Sequence, residues 1–338
     1  MVKRKTLAFI NYSYVFATFL VILGHSTPTS QSDMPKFAYD IRAIIYYFHM
    51  PLFFFIAGLL LVYTKGEHRE AYGKYIKKKA TRLLLPYLFL TVLGFFPKLF
   101  LSSYVNYPVA INPQSILHSV FSPQNNFSGH AWFLPVLFGF YALGYLFLDL
   151  KKSRAASLCL TVLLVAALFL PKMPSLFGIS DLLKYGIYFW MGIITCRLLI
   201  DYKDKLFKIS YSLVLLLVAV AFAMYLRYNF IIVPEILKMI FNSLMFFIVL
   251  SFAFTLEKSA MEHKLLDYLN ERKFTIYILS WAFQSLTEIA LNRILHCHWY
   301  ITIFCMFLTG FLGPILILTL LNKFKINNKW INRCIGNG

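Results

Sequence analysis

Acidic side chains are scarce in this sequence: 14 Asp and Glu stand against 33 Lys and Arg among 338 residues. Charged residues of either sign make up 14% of the chain, where a water-soluble domain carries about 25%. A single water-facing globule cannot hide the 59% of the chain that is hydrophobic, so lipid has to serve as part of the solvent. The cysteines Cys159, Cys196, Cys297, Cys305 and Cys334 include no CxxC pair, which argues against a disulfide framework or a thiolate zinc site. His296-Cys297-His298 comes nearest to a metal cluster, but adjacent residues on a short loop rarely converge on one ion, and no metal is expected. No A-x-A-like cleavage site follows the opening "MVKRKTLAFINYSYVFATFLVIL", so that segment reads as a retained first helix. Internal repeats and low-complexity tracts are missing as well. A net charge of +19 would suit nucleic acid, yet the basic residues cluster between apolar runs, where they set topology. No nucleic-acid partner is expected.

What the chain has in abundance is apolar runs of about 20 residues, each long enough to cross about 30 Å of hydrocarbon. Spans are expected over 6–24, 40–63, 83–101, 131–150, 155–170, 182–200, 206–226, 234–256, 274–295 and 299–321. The expected fold is therefore all-α, a polytopic bundle of about ten transmembrane helices forming one domain over residues 1–338. With the N-terminus in the cytoplasm, 25 of the 33 Lys and Arg fall on cytoplasmic connections and the span ends beside them, which predicts both termini inside. The basic stretch 65–82 suits a helix lying along the membrane surface. The Pro-, Asn- and Ser-rich stretch 102–130 is long for an unstructured connection and suits a lid or an acceptor-binding loop.

Ionisable side chains inside a span are expensive and usually face a bundle interior or a water-filled cavity. His25 ends the first span in "ATFLVILGHS". His49 lies about 12 Å into the second, at 1.5 Å per residue. Two antiparallel spans joined by a short loop normally pack together, so a paired-histidine site is feasible. Pro51 removes the N–H that would bond the Tyr47 carbonyl, and a kink there would open polar backbone beside His49. The bland alternative is a structural histidine bonded to a neighbouring helix. Neutral imidazole is suited to taking a proton from an attacking hydroxyl and returning it to a leaving thiolate.

Asp33 and Asp40 are candidate orienting carboxylates, though solvated loop charges are the simpler reading. Arg42 begins the second span on the side of His49 and suits an anionic group. Lys79 and Arg82, three residues apart, share a helix face at the mouth of the third span. They are either ordinary topological charge or a phosphate clamp. His130 and Trp132 stand at the outer entrance of the fourth span, where Trp132 is either an interfacial anchor or a stacking surface for a sugar. Lys184, Glu235 and Glu288 are further polar residues near spans, without an assigned role.

The stretches "FATFLVILGHS", "FHMPLFFFIAGLLL", "KKKATRLLLPY", "GHAWFLPVLFGFY" and "RKFTIYILSW" together resemble the membrane acyltransferase-3 family, whose members O-acylate surface polysaccharides. The resemblance extends over about residues 6–321. It implies acyl transfer, most simply of acetyl, from acyl-CoA on the cytoplasmic side to a glycan or lipid-linked saccharide outside, in a multi-pass protein of the cytoplasmic (inner) membrane. It carries the catalytic base onto His25 and acyl-CoA contact onto Lys79 and Arg82; His49, placed by its own position, is expected to assist by orienting the base or stabilising the developing oxyanion. Relatives commonly place Arg or Lys where this chain has Tyr14, one face of a helix and about 16 Å inward of His25. Tyr14 is therefore taken as a donor-site residue without charge. Many relatives read "IYLLH" where Ser280 ends "IYILS". A homo-oligomer is compatible with the pattern. Rival readings are a transporter or flippase of a glycan or small anion, and a purely structural assembly subunit.

Overall fold

The computed structural model describes residues 8–28, 34–65, 69–100, 112–171, 173, 176–259, 263–326 and 328–337. The expectations that involve Asp33, residues 66–68 and residues 102–111 lie outside the described residues. The helices in chain order are α1 Ala8–His25, α2 Lys36–Lys65, α3 Tyr72–Phe100, α4 Pro113–Phe121, α5 Phe133–Leu150, α6 Arg154–Ala167 and α7 Ile179–Asp201. They continue with α8 Lys203–Leu206, α9 Ile209–Asn229, α10 Glu235–Lys258, α11 Lys264–Glu288, α12 Trp299–Lys323 and α13 Lys329–Cys334. Among the described residues nine helices are long and apolar enough to cross a membrane: α1, α2, α3, α5, α7, α9, α10, α11 and α12. The chain is a polytopic, all-helical membrane protein.

α6 is shorter, at 14 residues, and apolar, and it runs from one end of the bundle to the other. Ser153 caps its start, accepting the Ala156 N–H, and its far end leads to Pro171 and Met173, which line the same cavity as His25. α6 runs antiparallel to α7: the Trp190 indole N–H donates to Thr161 Oγ1, and the Leu164 side chain lies against Gly186. Each end of α6 thus meets the opposite end of the bundle. One end gathers the start of α1, the α2–α3 corner and α13, and is called the basic end below. The other holds His25, the start of α2 and the start of α7.

The core is organised around α2, where Leu52, Phe54 and Ile56 have no exposed surface. α2 and α7 touch backbone to backbone. A Cβ on Gly58 would stand 2.1 Å from the Phe189 carbonyl oxygen, and one on Gly192 would stand 2.1 Å from that of Phe55. Aromatic rings fill what remains, with Phe55 on Phe246 and Phe140 on Phe189 in stacked pairs, at centroid distances of 4.6 and 4.9 Å. Such stacked and edge-on pairs add to burial.

Three expectations are corrected here. α2 continues as helix through Pro51, so there is no break beside His49; close packing on α7 holds it. Residues 72–82 are the first turns of α3, so the basic stretch does not form a separate surface helix. The α2–α3 corner is tied by Glu70, which accepts from Lys65 at 2.8 Å and Lys78 at 2.6 Å. Asp40 is neither an orienting carboxylate for a histidine nor a solvated charge. It is buried and accepts from Arg227 Nε at 2.8 Å and from the Tyr228 hydroxyl at 3.2 Å, tying α9 to α2.

The stretch after residue 111 folds back against α3. Asn112 starts α4 with a capping box. The Tyr87 hydroxyl donates to the carbonyls of Ser119 and Val120, and Asn126 Nδ2 donates to Thr91 Oγ1 at 2.7 Å. These bonds satisfy irregular backbone that lipid would leave unpaired.

Candidate active site

At the histidine end a cavity of about 1000 Å³ opens between α1, α2, α7, α10 and the 124–132 segment. His25, His49, His130 and Trp132 all line it. The His25 and His49 rings stand nearly perpendicular, with centroids 6.4 Å apart. They are joined by Tyr46, whose ring lies 5.4 Å from His25 and 4.9 Å from His49. The Tyr46 hydroxyl is 3.1 Å from His25 Nδ1. His49 Nδ1 lies 2.8 Å from the Ile45 carbonyl oxygen, one helical turn back. A carbonyl only accepts, so Nδ1 of His49 carries the proton and neutral His49 keeps its lone pair on Nε2. That nitrogen can accept a proton.

His130 is held differently. Its Nε2–H donates to the Ile278 carbonyl at 3.2 Å, its ring stacks on Trp281, and its Nδ1 is buried without a hydrogen-bond partner among the described residues. Its own carbonyl accepts from the Tyr277 hydroxyl. Trp132 stacks on Tyr185, centroids 5.5 Å apart, so it belongs to the cavity wall. Arg42 lies over the Tyr46 ring at 5.1 Å and touches the histidine pair through that phenol.

Several lining residues carry no assigned role from sequence. Asp181 is buried and accepts from Gln124 Nε2 at 2.7 Å, Lys184 is exposed, and Glu235 pairs with Lys238 at 2.7 Å. Asp181 and Gln124 were invisible because they are distant in the chain. Tyr46 had a signal: it precedes His49 by three positions, which puts both on one helix face. Gln284 was missed as well; its Nε2 donates to the Ile22 carbonyl and to Ser26 Oγ, fixing the end of α1 that carries His25. Ser280 is buried and donates to the Tyr277 carbonyl within α11.

The basic end holds a second, smaller pocket of about 450 Å³. Lys74, Lys77, Lys78, Thr81 and Arg82 of α3 line it together with Arg333 of α13, and no carboxylate among the described residues does. Arg82 thus lies on this pocket, whereas Lys79 turns inward and places its ammonium 3.5 Å from the centre of the Tyr141 ring. Tyr14 sits edge-on to Phe53 at 5.0 Å, with the Lys273 ammonium 5.3 Å from its ring. Lys273 therefore brings a cation beside the uncharged Tyr14.

The chain belongs to the acyltransferase-3 family: the family's acyltransferase domain matches residues 7–321. The protein is a multi-pass membrane acyltransferase. No curated protein and no solved structure matches it.

Proposed function

We propose that this acyltransferase moves an acyl group, acetyl in the simplest case, from acyl-CoA at the basic end to a hydroxyl of a surface glycan. The acceptor would be an exopolysaccharide, capsule or O-antigen unit, free or lipid-linked, held in the histidine cavity. The observation that carries this reading is the pair of opposed pockets. One is walled by cations and suits phosphates; the other is roomy, polar and edged by imidazoles. In the proposed reaction the glycan hydroxyl gives its proton to His25 as its oxygen bonds to the thioester carbonyl carbon. The C–S bond then breaks, and the thiolate takes the proton back. His49, with Nε2 bare, lies beside His25 and would accept from a second hydroxyl of the sugar, orienting the acceptor for the base. Tyr14 and Tyr141, beside the ammoniums of Lys273 and Lys79, would offer hydroxyls to the pantetheine arm. Arg82 would anchor the donor at its phosphate end, while Lys79, turned inward onto Tyr141, adds positive charge deeper in.

The test is reconstituted protein with radiolabelled acetyl-CoA and isolated glycan. Label should reach the glycan, and His25→Ala should reduce the rate by about 10²–10⁴-fold, the range of general-base catalysis. Wild-type rates in His25→Ala would remove the base assigned here. Glycan carried across the bilayer without label would point to transport.

A further inference from the structure

α13 lies beyond the 7–321 match to the family domain, yet its Arg333 completes the wall of the basic pocket. Its placement is specific. Ile335 just after the helix is buried, and Gly336, at φ +75, fits so tightly that a Cβ would come within 2.5 Å of the Phe274 ring. The helix is thus docked on α3 and α11, and Arg333 faces Lys74 and Lys77 across the pocket. Four charged side chains in addition to Lys78, which is bonded to Glu70, surround one 450 Å³ space with no carboxylate among the described residues lining it. One phosphate does not need so many cations. We propose that Arg333 and its lysine neighbours form a second phosphate subsite, which takes the 3′-phosphate of the CoA nucleotide while Arg82 faces the diphosphate. This rests on the reading of acyl-CoA as donor.

A phosphomonoester carries about −1.5 to −2 charges at pH 7 and three acceptor oxygens, and a guanidinium meets two of them at once. Dephosphorylating CoA at the 3′ position removes this group and leaves the diphosphate, pantetheine and thioester intact. Arg333 would then be a specificity-determining residue for the donor. The same chemistry could be offered by the headgroup of an anionic lipid at the membrane surface, so the experiment has to separate the two sources.

Acetyl-CoA and acetyl-3′-dephospho-CoA are titrated calorimetrically into purified full-length protein, wild type and Arg333→Ala, in detergent and in phosphatidylcholine liposomes with and without phosphatidylglycerol. Wild type should bind acetyl-CoA about tenfold or more tightly than the dephospho form. Arg333→Ala should abolish that preference by weakening acetyl-CoA alone, and Arg333→Lys should restore part of it. Equal weakening of both donors in Arg333→Ala, at unchanged thermal midpoint, would overturn the subsite while leaving CoA as donor. A wild-type protein that binds both donors equally would do the same. Phosphatidylglycerol that abolishes the wild-type preference would assign the pocket to lipid instead. Binding of neither donor would remove the donor reading together with the subsite. Lys77→Ala is the second variant, expected to lose the preference in the same way should Arg333→Ala fail to fold.

Discussion

The chemistry of the cavity turns on which nitrogen of each histidine is free. His49 is settled by its own backbone, because Nδ1–H is spent on Ile45 and Nε2 is left to accept. His25 is different: its Nδ1 faces a phenol, which can donate or accept, so Tyr46 selects the tautomer. For Nε2 of His25 to act as the base, Nδ1–H has to donate to the Tyr46 oxygen, with the phenol's own proton turned elsewhere. Tyr46→Phe keeps the ring and its packing and removes the oxygen, with the hydrogen bonds it makes to His25 and Arg42. The expected result is a fall in kcat of up to about tenfold, the worth of one net hydrogen bond, with KM for the donor unchanged. The pH–rate profile should move with it, because the imidazole has lost its partner. A change in KM alone would make Tyr46 a binding residue. Tyr14 fits the same scale. It supplies no charge itself, and the nearby Lys273 of α11 does, so charge at this depth is a property of the neighbourhood.

At the scale of elements, the closest helix pair is also the least visible in the amino-acid pattern. Gly58 and Gly192 read in sequence as two residues in apolar runs, far apart in the chain. In the fold each lies against the backbone of the other helix, the small-residue packing common between membrane helices. Gly192→Ala has to separate α2 from α7 and should cost about 1–3 kcal/mol, seen as a lower thermal midpoint in detergent. Gly73→Ala is the control. Nothing lies within 4 Å of its added Cβ, so it should leave the midpoint unchanged or raise it slightly, by the better helix propensity of alanine. Equal effects of the two would show that the seam carries no special weight.

Length and apolarity made the spans legible, and the histidine positions were legible because charge and imidazole are costly in lipid. Partners across the bundle were not. Asp40 sits in a run of loop-like residues, and only the approach of Arg227 from α9 makes it a buried ion pair. The polar stretch near 112–130 gave away its function-like composition but not its return into the bundle, which depends on Tyr87 and Thr91 of α3. Glu70 shows how a neighbour alters a group outside the spans: the ammoniums of Lys65 and Lys78 hold its carboxyl down at about 2. The tie it makes is therefore fully present above the ordinary carboxylate range and is lost only as pH falls through about 2.

For the whole molecule, Arg333 of α13 can share a pocket with Lys74 and Lys77 of α3 only if the chain crosses the bilayer an even number of times between the start of α1 and the end of α12. Nine long helices alone would put those points on opposite faces. α6 decides the matter. Its 14 residues cover about 21 Å, and the 3₁₀-type bonds of Leu168, Phe169 and Leu170 to the carbonyls three residues back add about 6 Å more. A crossing of about 27 Å is short for an average bilayer and is met by local thinning, at a modest cost per ångström. Single cysteines at Lys152 and Met173, in a protein whose 5 native cysteines are replaced, test this directly. In sealed proteoliposomes of one orientation, an impermeant maleimide should label one of them from outside and the other only after the vesicles are opened. Lys74→Cys should label with Lys152→Cys, since both stand at the basic end. Labelling of both Lys152→Cys and Met173→Cys from the same side would leave α6 lying on the surface. It would also put α13 on the face opposite Lys74, where Arg333 could not line the basic pocket.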